Sequence, residues 1–166
     1  MLNAVSFAMV IQNDGYDEEN EEIRRVSNVF HEDYLFLGHE LNFSGEAEDL
    51  IFLGKRLSFS GITKLGLFAL GEKLFLSGKI GNGVFAGGVN VLIDDSVTGN
   101  SFIGGKDIKL SETGTVKGNL FAGCARLTID GTLNGDLFVG TGELIINSEI
   151  NGNVTAYSGR ITFGDK

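Results

Sequence analysis

The sequence predicts an all-β protein: a single-stranded parallel β-helix (solenoid) of about eight rungs of 17 residues, with three short strands in each rung. Three observations predict this fold. An apolar pattern returns eight times between residues 35 and 166, the apolar residues within each copy lie two apart, and the 166-residue chain has 25 glycines and no proline. A fixed period of this size is typical of a solenoid, in which each copy packs on the copies before and after it.

One apolar position, which we call the reference position, marks each copy. Successive reference positions are 16, 17, 17, 17, 19, 17 and 17 residues apart. An aliphatic residue lies six residues after each of them, and a further apolar residue follows two residues later. A spacing of two is that of a β-strand, whose successive side chains point to opposite faces. The reference residues are Leu35, Ile51, Phe68, Phe85, Phe102, Phe121, Phe138 and Thr155.

Turn residues separate the predicted strands. Gly-Asn or Gly-Asp pairs, such as Gly118-Asn119 and Gly135-Asp136, directly precede several of the strands that carry the reference positions. Glycine, Asn and Asp suit the tight corners between such strands. The absence of proline fits stacked strands, because proline would remove a hydrogen bond between rungs. Strands about 4.8 Å apart would build eight rungs into a rod roughly 40 Å long.

The alternation predicts which side chains fill the interior. A large and a small apolar residue flank most reference positions, as Leu120 and Ala122 flank Phe121. Such pairs suit a narrow interior that must be filled without overpacking. If the flanking residues point inward, the reference residues form an apolar outer face, larger than the apolar patches that monomers usually expose. The alternative is that the phenylalanines point inward. The predicted outer face consists of Phe68, Phe85, Phe102, Phe121 and Phe138.

The first part of the chain departs from the repeat, and we divide the sequence into an acidic N-terminal leader or cap (1–34) and a β-helix domain (35–166). The leader holds eight acidic residues against two arginines. Residues 1–11 are apolar but too short to span a bilayer, so they could at most contact a membrane surface. Residues 17–30 are predicted to form a short helix with one apolar side. This segment could cap the first rung, lie along the outer phenylalanines or remain a solvated linker.

The composition argues against most chemistry. The net charge is −9 and no basic stripe is present, which argues against nucleic-acid binding. The chain has one cysteine, Cys124, at a predicted corner, and two histidines, His31 and His39, both near its N-terminal end. Left-handed β-helix acyltransferases are the enzymatic alternative, but they repeat every six residues and depend on histidine. We therefore predict a protein that is not an enzyme, with no catalytic, cofactor-binding or metal-binding residues, no cofactor and no nucleotide.

A resemblance to a known family rests on residues 116–120 and 127–137. The strings Val-Lys-Gly-Asn-Leu and Leu-Thr-Ile-Asp-Gly-Thr-Leu-Asn-Gly-Asp-Leu resemble the repeat of the bactofilins, a family of polymer-forming cytoskeletal proteins. The resemblance covers residues 80–166 well and 35–79 more loosely. It implies a right-handed β-helix and assembly without nucleotide. The single cysteine shows no reliance on an oxidising compartment and favours a cytoplasmic location, with or without membrane association through residues 1–11. The missing proline-rich tails and the many phenylalanines differ from the family pattern, and they leave an exported or periplasmic location as the alternative.

Two functions of different kinds follow from these observations. The first is a structural protein that self-assembles through the ends of its β-helix into filaments or oligomers, because the ends of a stack of strands are templates for further strands. The second is a monomeric or exported scaffold that binds a partner through its outer phenylalanines. The residues expected at the C-terminal end are Tyr157, Ile161 and Phe163. The residues expected at the N-terminal end, as an interface or as contacts of a cap, are Leu35, Leu41 and Phe43.

Overall fold

The computed structural model describes residues 9–13 and 23–164, and it confirms the predicted fold class. These residues form a β-solenoid of about eight turns whose equivalent positions are roughly 17 residues apart. No helix occurs among them. The strands are β1 (Met9–Asn13), β2 (Ile23–Val26), β3 (Asp33–Leu37), β4 (Glu40–Phe43), β5 (Glu46–Ala47), β6 (Leu50–Leu53), β7 (Arg56–Phe59), β8 (Ile62–Thr63), β9 (Leu67–Leu70), β10 (Lys73–Leu76), β11 (Lys79–Ile80), β12 (Val84–Ile93), β13 (Ser96–Val97), β14 (Ser101–Leu110), β15 (Thr115–Val116), β16 (Leu120–Ile129), β17 (Thr132–Leu133), β18 (Leu137–Ile146) and β19 (Val154–Phe163).

Equivalent strands of neighbouring rungs pair in parallel, and their register aligns the reference positions. Phe102, for example, lies between Phe85 and Phe121 in adjacent strands. We call such a set of aligned residues a column. The strands belong to a 13-stranded sheet and a separate six-stranded sheet made of the two-residue strands. From β12 onward the first two strands of a rung join through the corner into one strand of ten residues.

The solenoid begins before residue 35. β1 pairs with β3, so that Ile11 lies beside Leu35, and β2 pairs with β4. These two strands form an additional rung, which we call the N-terminal rung. The prediction of a helix is wrong for Ile23–Val26, because the edge of β4 offers this segment backbone partners that an amphipathic pattern does not reveal. Residues 1–8 and 14–22 of the predicted leader lie outside the described residues.

The core runs along the axis of the rod and is built from inward columns. Leu120 and Ala122 are buried, whereas Phe121 between them is only half-buried. Phe121 therefore points outward, and its two neighbours fill the interior. In the first rungs the interior is aromatic instead of small, since Phe36 and Phe52 are both fully buried and stack at 5.7 Å between ring centroids.

The corners are held by side chains that bridge neighbouring rungs. The backbone N–H of Asn119 donates to Oδ1 of Asn100, and that of Asp136 donates to Oδ1 of Asn119, both at 2.9 Å. Corner glycines serve a different purpose. A Cβ added to Gly88 would lie 2.7 Å from the carbonyl oxygen of Gly71, too close for any real side chain. Glycine is needed there because the backbones of adjacent rungs approach closely.

Candidate functional site

The last rung of the solenoid exposes residues that belong to the core columns. We call β19 the C-terminal rung. Its inward residues continue the buried columns of β18, and within the described residues no strand pairs with its outer edge. Phe163 is 72 % exposed and Ile161 is 45 % exposed, although their counterparts in β18, Ile146 and Leu144, are buried. These two side chains are apolar and inward-facing, yet nothing described covers them.

The three residues predicted at this end all lie on β19, but their side chains belong to different columns. Ile161 and Phe163 lie over the core, in the columns of Leu144 and Ile146. Tyr157 is 82 % exposed and belongs to an outward column, next to Gly140. Only the first two therefore extend the interior of the rod, while Tyr157 marks its outer rim.

The N-terminal rung presents a different surface to solvent. Its inward positions include Val10 and Val26, which pack against the core, but also two polar residues. Gln12 continues the column of Phe36, and Arg24 continues the column of Leu41. Nη2 of Arg24 donates to Oε1 of Gln12 at 3.3 Å. A polar pair thus bridges the two strands at inward positions, whereas the inward side chains of the C-terminal rung are all apolar.

The residues predicted at the N-terminal end are not at the end of the rod. Leu41 and Phe43 are fully buried, beneath Arg24 and Val26 of the additional rung. Leu35 lies in an outward column beside Ile11. Of the two roles predicted for these residues, contact with a capping segment fits this arrangement, whereas an exposed interface does not. The sequence concealed this because 24 residues separate Ile11 from Leu35, well beyond the normal period.

A second apolar surface runs along the side of the rod. We call Phe68, Phe85, Phe102, Phe121 and Phe138 the Phe face. Their rings stack between rungs, with centroids 5.2 Å apart for Phe68 and Phe85, 4.7 Å for Phe102 and Phe121, and 5.0 Å for Phe121 and Phe138. Phe85 is the most exposed of the five, at 52 %. Stacking covers the faces of the rings and leaves their outer edges in solvent.

A column of glycines whose surroundings the sequence pattern does not reveal lies beside the Phe face. Gly87, Gly104, Gly123 and Gly140 align two residues after the phenylalanines, on the same outer side. A Cβ added to any of the last three would meet no atom within 4 Å, and their φ angles are negative. Neither packing nor backbone conformation therefore requires glycine there. Phenylalanines and glycines together line a shallow groove of about 500 Å³.

Charged residues form a separate column across the corner from the Phe face. The side chain of Arg126 lies between two acids, with Nε 2.8 Å from Oε2 of Glu143 and Nη1 3.6 Å from Oδ1 of Asp107. Arg160 of the last rung reaches Glu143 at 3.7 Å. The signs alternate from rung to rung, so each charge has an opposite neighbour. Exposed pairs of this kind contribute little to stability but fix which charges lie side by side.

Asp94 and Cys124 are among the groups whose pKa values are altered, and each alteration has a structural cause. Hydrogen bonds from the hydroxyls of Ser111 and Thr113 lower the pKa of Asp94, which anchors the longer loop at residues 111–114. Burial raises the pKa of the Cys124 thiol, against the opposing effect of its 3.5 Å hydrogen bond to Thr141. A raised pKa keeps the thiol protonated at neutral pH and makes it a poor nucleophile. Both groups thus have local structural roles at corners.

In the described part of the chain, no three His, Cys, Asp or Glu side chains are grouped as a metal site would require. The same residues include no helix with the length and apolar character needed to cross a membrane. Searches against protein-family models, curated proteins and solved structures give no match to this chain.

Proposed function

We propose that the protein is a non-enzymatic structural element that self-assembles through the ends of its solenoid, with the C-terminal rung as its main contact. The observation that carries this proposal is the exposure of core residues on β19, above all Phe163. The bactofilin-like repeat supports it as a resemblance of sequence. Assembly without nucleotide would follow, since burial of apolar surface supplies the driving force.

Two features of β19 support contact between the ends of two rods: a backbone edge that no described strand pairs, and apolar side chains that nothing described covers. The outward edge of β19 carries backbone N–H and C=O groups that no described strand pairs, and such an edge is a template for another chain. Beside that edge, Ile161 and Phe163 expose apolar surface that β18 buries in its own rung. A second rod placed end to end would satisfy both features at once, because it would supply strand partners and cover the core.

Sedimentation velocity over a range of concentrations, combined with electron microscopy, tests this proposal. We expect species larger than the 17.8 kDa chain, whose proportion increases with concentration and which join through their ends in images. A chain that sediments as a single copy at high concentration would refute self-assembly.

A second candidate function is a binding module that uses the Phe face. The observation that favours it is the combination of exposed, stacked rings with glycines that nothing in the fold requires. Glycine within a strand often marks a place where another chain or a ligand approaches closely. In this function the rod remains a monomer and a partner covers the groove beside Phe102 and Phe121.

One double variant separates the two candidates. The double variant Phe102→Ser with Phe121→Ser should leave self-association unchanged if the ends carry assembly. If the Phe face is a binding site instead, the unaltered rod is itself a monomer, and the double variant should abolish binding of its partner. Circular dichroism must show that the variant keeps its β-structure, and we expect that it does because both rings lie outside the core columns.

A further inference from the structure

We infer that this rod has one adhesive end only, so that assembly stops at two copies joined through their C-terminal rungs by a two-fold axis. The inference rests on the proposed self-assembly and specifies its partner and stoichiometry. The partner is a second copy of this chain, and its β19 pairs antiparallel with β19 of the first.

The N-terminal rung is unsuited to the same contact. Any rod stacked on it would cover the guanidinium of Arg24 and the amide of Gln12, which lie over the core and bond to each other at 3.3 Å. Covering a charged group is costly unless it gains a partner of opposite charge. The inward residues of β19 that would face it are Val154, Ala156, Ile161 and Phe163, and none of their side chains carries a negative charge or can accept a hydrogen bond.

A contact between two N-terminal rungs is disfavoured for the same reason. It would bury the Arg24 guanidinium groups of both copies, and the inward residues described in this rung, Val10, Gln12, Arg24 and Val26, offer no charge of opposite sign. Head-to-tail and N-to-N contacts are therefore both disfavoured, which leaves the contact between two C-terminal ends.

The C-terminal rung matches a second copy of itself. The inward residues Val154 and Ala156 precede the corner formed by residues 158–159, and the inward residues Ile161 and Phe163 follow it at mirrored positions. An antiparallel pairing centred on that corner therefore places Val154 opposite Phe163 of the other copy and Ala156 opposite its Ile161. Every inward residue meets an inward residue, so the two cores join into one.

The same antiparallel pairing also brings outward residues of the two copies together. Tyr157 would lie opposite Arg160 of the other copy, and both side chains are largely exposed in the single rod. A guanidinium over an aromatic ring is a favourable contact, and the pairing forms it twice. Arg160 also keeps its ion pair with Glu143, which lies one rung further inside the same copy.

The stoichiometry tests the inference separately from the proposed function. We expect sedimentation equilibrium to give a species of twice 17.8 kDa that does not grow further as concentration rises. Filaments would support self-assembly but overturn the single adhesive end. A monomer at all concentrations would overturn both.

Two arginine variants test whether Arg24 and Gln12 prevent contact through the N-terminal rung. Arg24→Leu, together with Gln12→Leu, makes the inward side of the N-terminal rung apolar and should extend assemblies beyond two copies. Arg25→Leu is the matched control, because Arg25 carries the same charge on the same strand but belongs to the outward column of Asn42. Assemblies that stay at two copies in the double variant, with its β-structure intact, would show that the polar pair does not close the end.

Cross-linking tests the pairing itself. Copies carrying Tyr157→Cys are mixed with copies carrying Arg160→Cys, both with Cys124→Ser, and the mixture is mildly oxidised. Paired residues in antiparallel strands are close enough for a disulfide. We expect covalent pairs in the mixture and far fewer with either variant alone. Equal yields in all three samples, or none in the mixture, would overturn the two-fold pairing.

Discussion

Replacement of Phe163 by Arg should separate the associated rods into single, folded ones. Phe163 is 72 % exposed at the end of the rod, so most of its ring is available for a contact between copies. Complete burial of such a side chain contributes about 2 kcal/mol. A two-fold contact contains the ring twice and would lose about 4 kcal/mol, which weakens the dissociation constant roughly a thousandfold. The introduced guanidinium adds a further cost, because the contact would bury it against apolar side chains.

The same substitution should leave the fold nearly intact. Only about a quarter of Phe163 is covered within its own chain, by the preceding rung, so the free energy of unfolding should fall by about 1 kcal/mol or less. A terminal rung also contacts a single neighbour, and its loss does not propagate along a solenoid. Circular dichroism and thermal unfolding would check this expectation on the same sample that is used for sedimentation.

Phe102→Arg is the matched control for this experiment. It makes the same chemical change at an exposed phenylalanine, on the side of the rod rather than at its end. We expect Phe163→Arg to sediment as one copy and Phe102→Arg to sediment like the unaltered chain. The reverse result would refute the reasoning from the uncovered core and would assign association to the Phe face.

The sequence predicts the solenoid well because one structural rule repeats along it. The spacing of two within a copy and about 17 between copies determines strand, register and orientation together, and a shift by one residue would turn every side chain to the other face. Phe121 could thus be placed outside from its neighbours Leu120 and Ala122. The rule is less informative in the early rungs, where three apolar residues are consecutive, as in Leu35-Phe36-Leu37. Alternation alone cannot tell there which of them enters the core.

The position of Arg24 in a core column and the open surroundings of Gly123 could not be predicted from the sequence. Arg24 takes a core position only through its pairing with Leu41, and the long, acidic insertion before it hides the repeat. A charged residue in a core column also contradicts the pattern by which rungs are recognised. Gly123 could have been noticed because it recurs just before the corner in four copies, but a glycine near a corner is normally explained by the turn. Its open surroundings are visible only in three dimensions.

Three further predictions concern stability and can be measured by chemical or thermal unfolding. Thr63→Val should stabilise the fold by about 1 kcal/mol, because the Thr63 hydroxyl is fully buried without a hydrogen-bond partner among the described residues, in a column that is otherwise aliphatic. Gly88→Ala should destabilise the fold by about 2 kcal/mol through its clash with a neighbouring backbone, whereas Gly123→Ala should be neutral or stabilising by up to about 1 kcal/mol. Asp94→Ala should lower stability in a pH-dependent way. Two hydroxyls of the 111–114 loop lower the pKa of Asp94 from its ordinary 3.8, so the folded state favours the carboxylate. A lowered pKa stabilises the fold fully above the ordinary value, and this contribution is lost as pH falls through the folded one. The difference in melting temperature between the unaltered chain and Asp94→Ala should therefore be largest near pH 6 and shrink as pH falls below about 4. A difference that stays constant down to pH 2 would mean that the carboxylate's charge does not hold the loop.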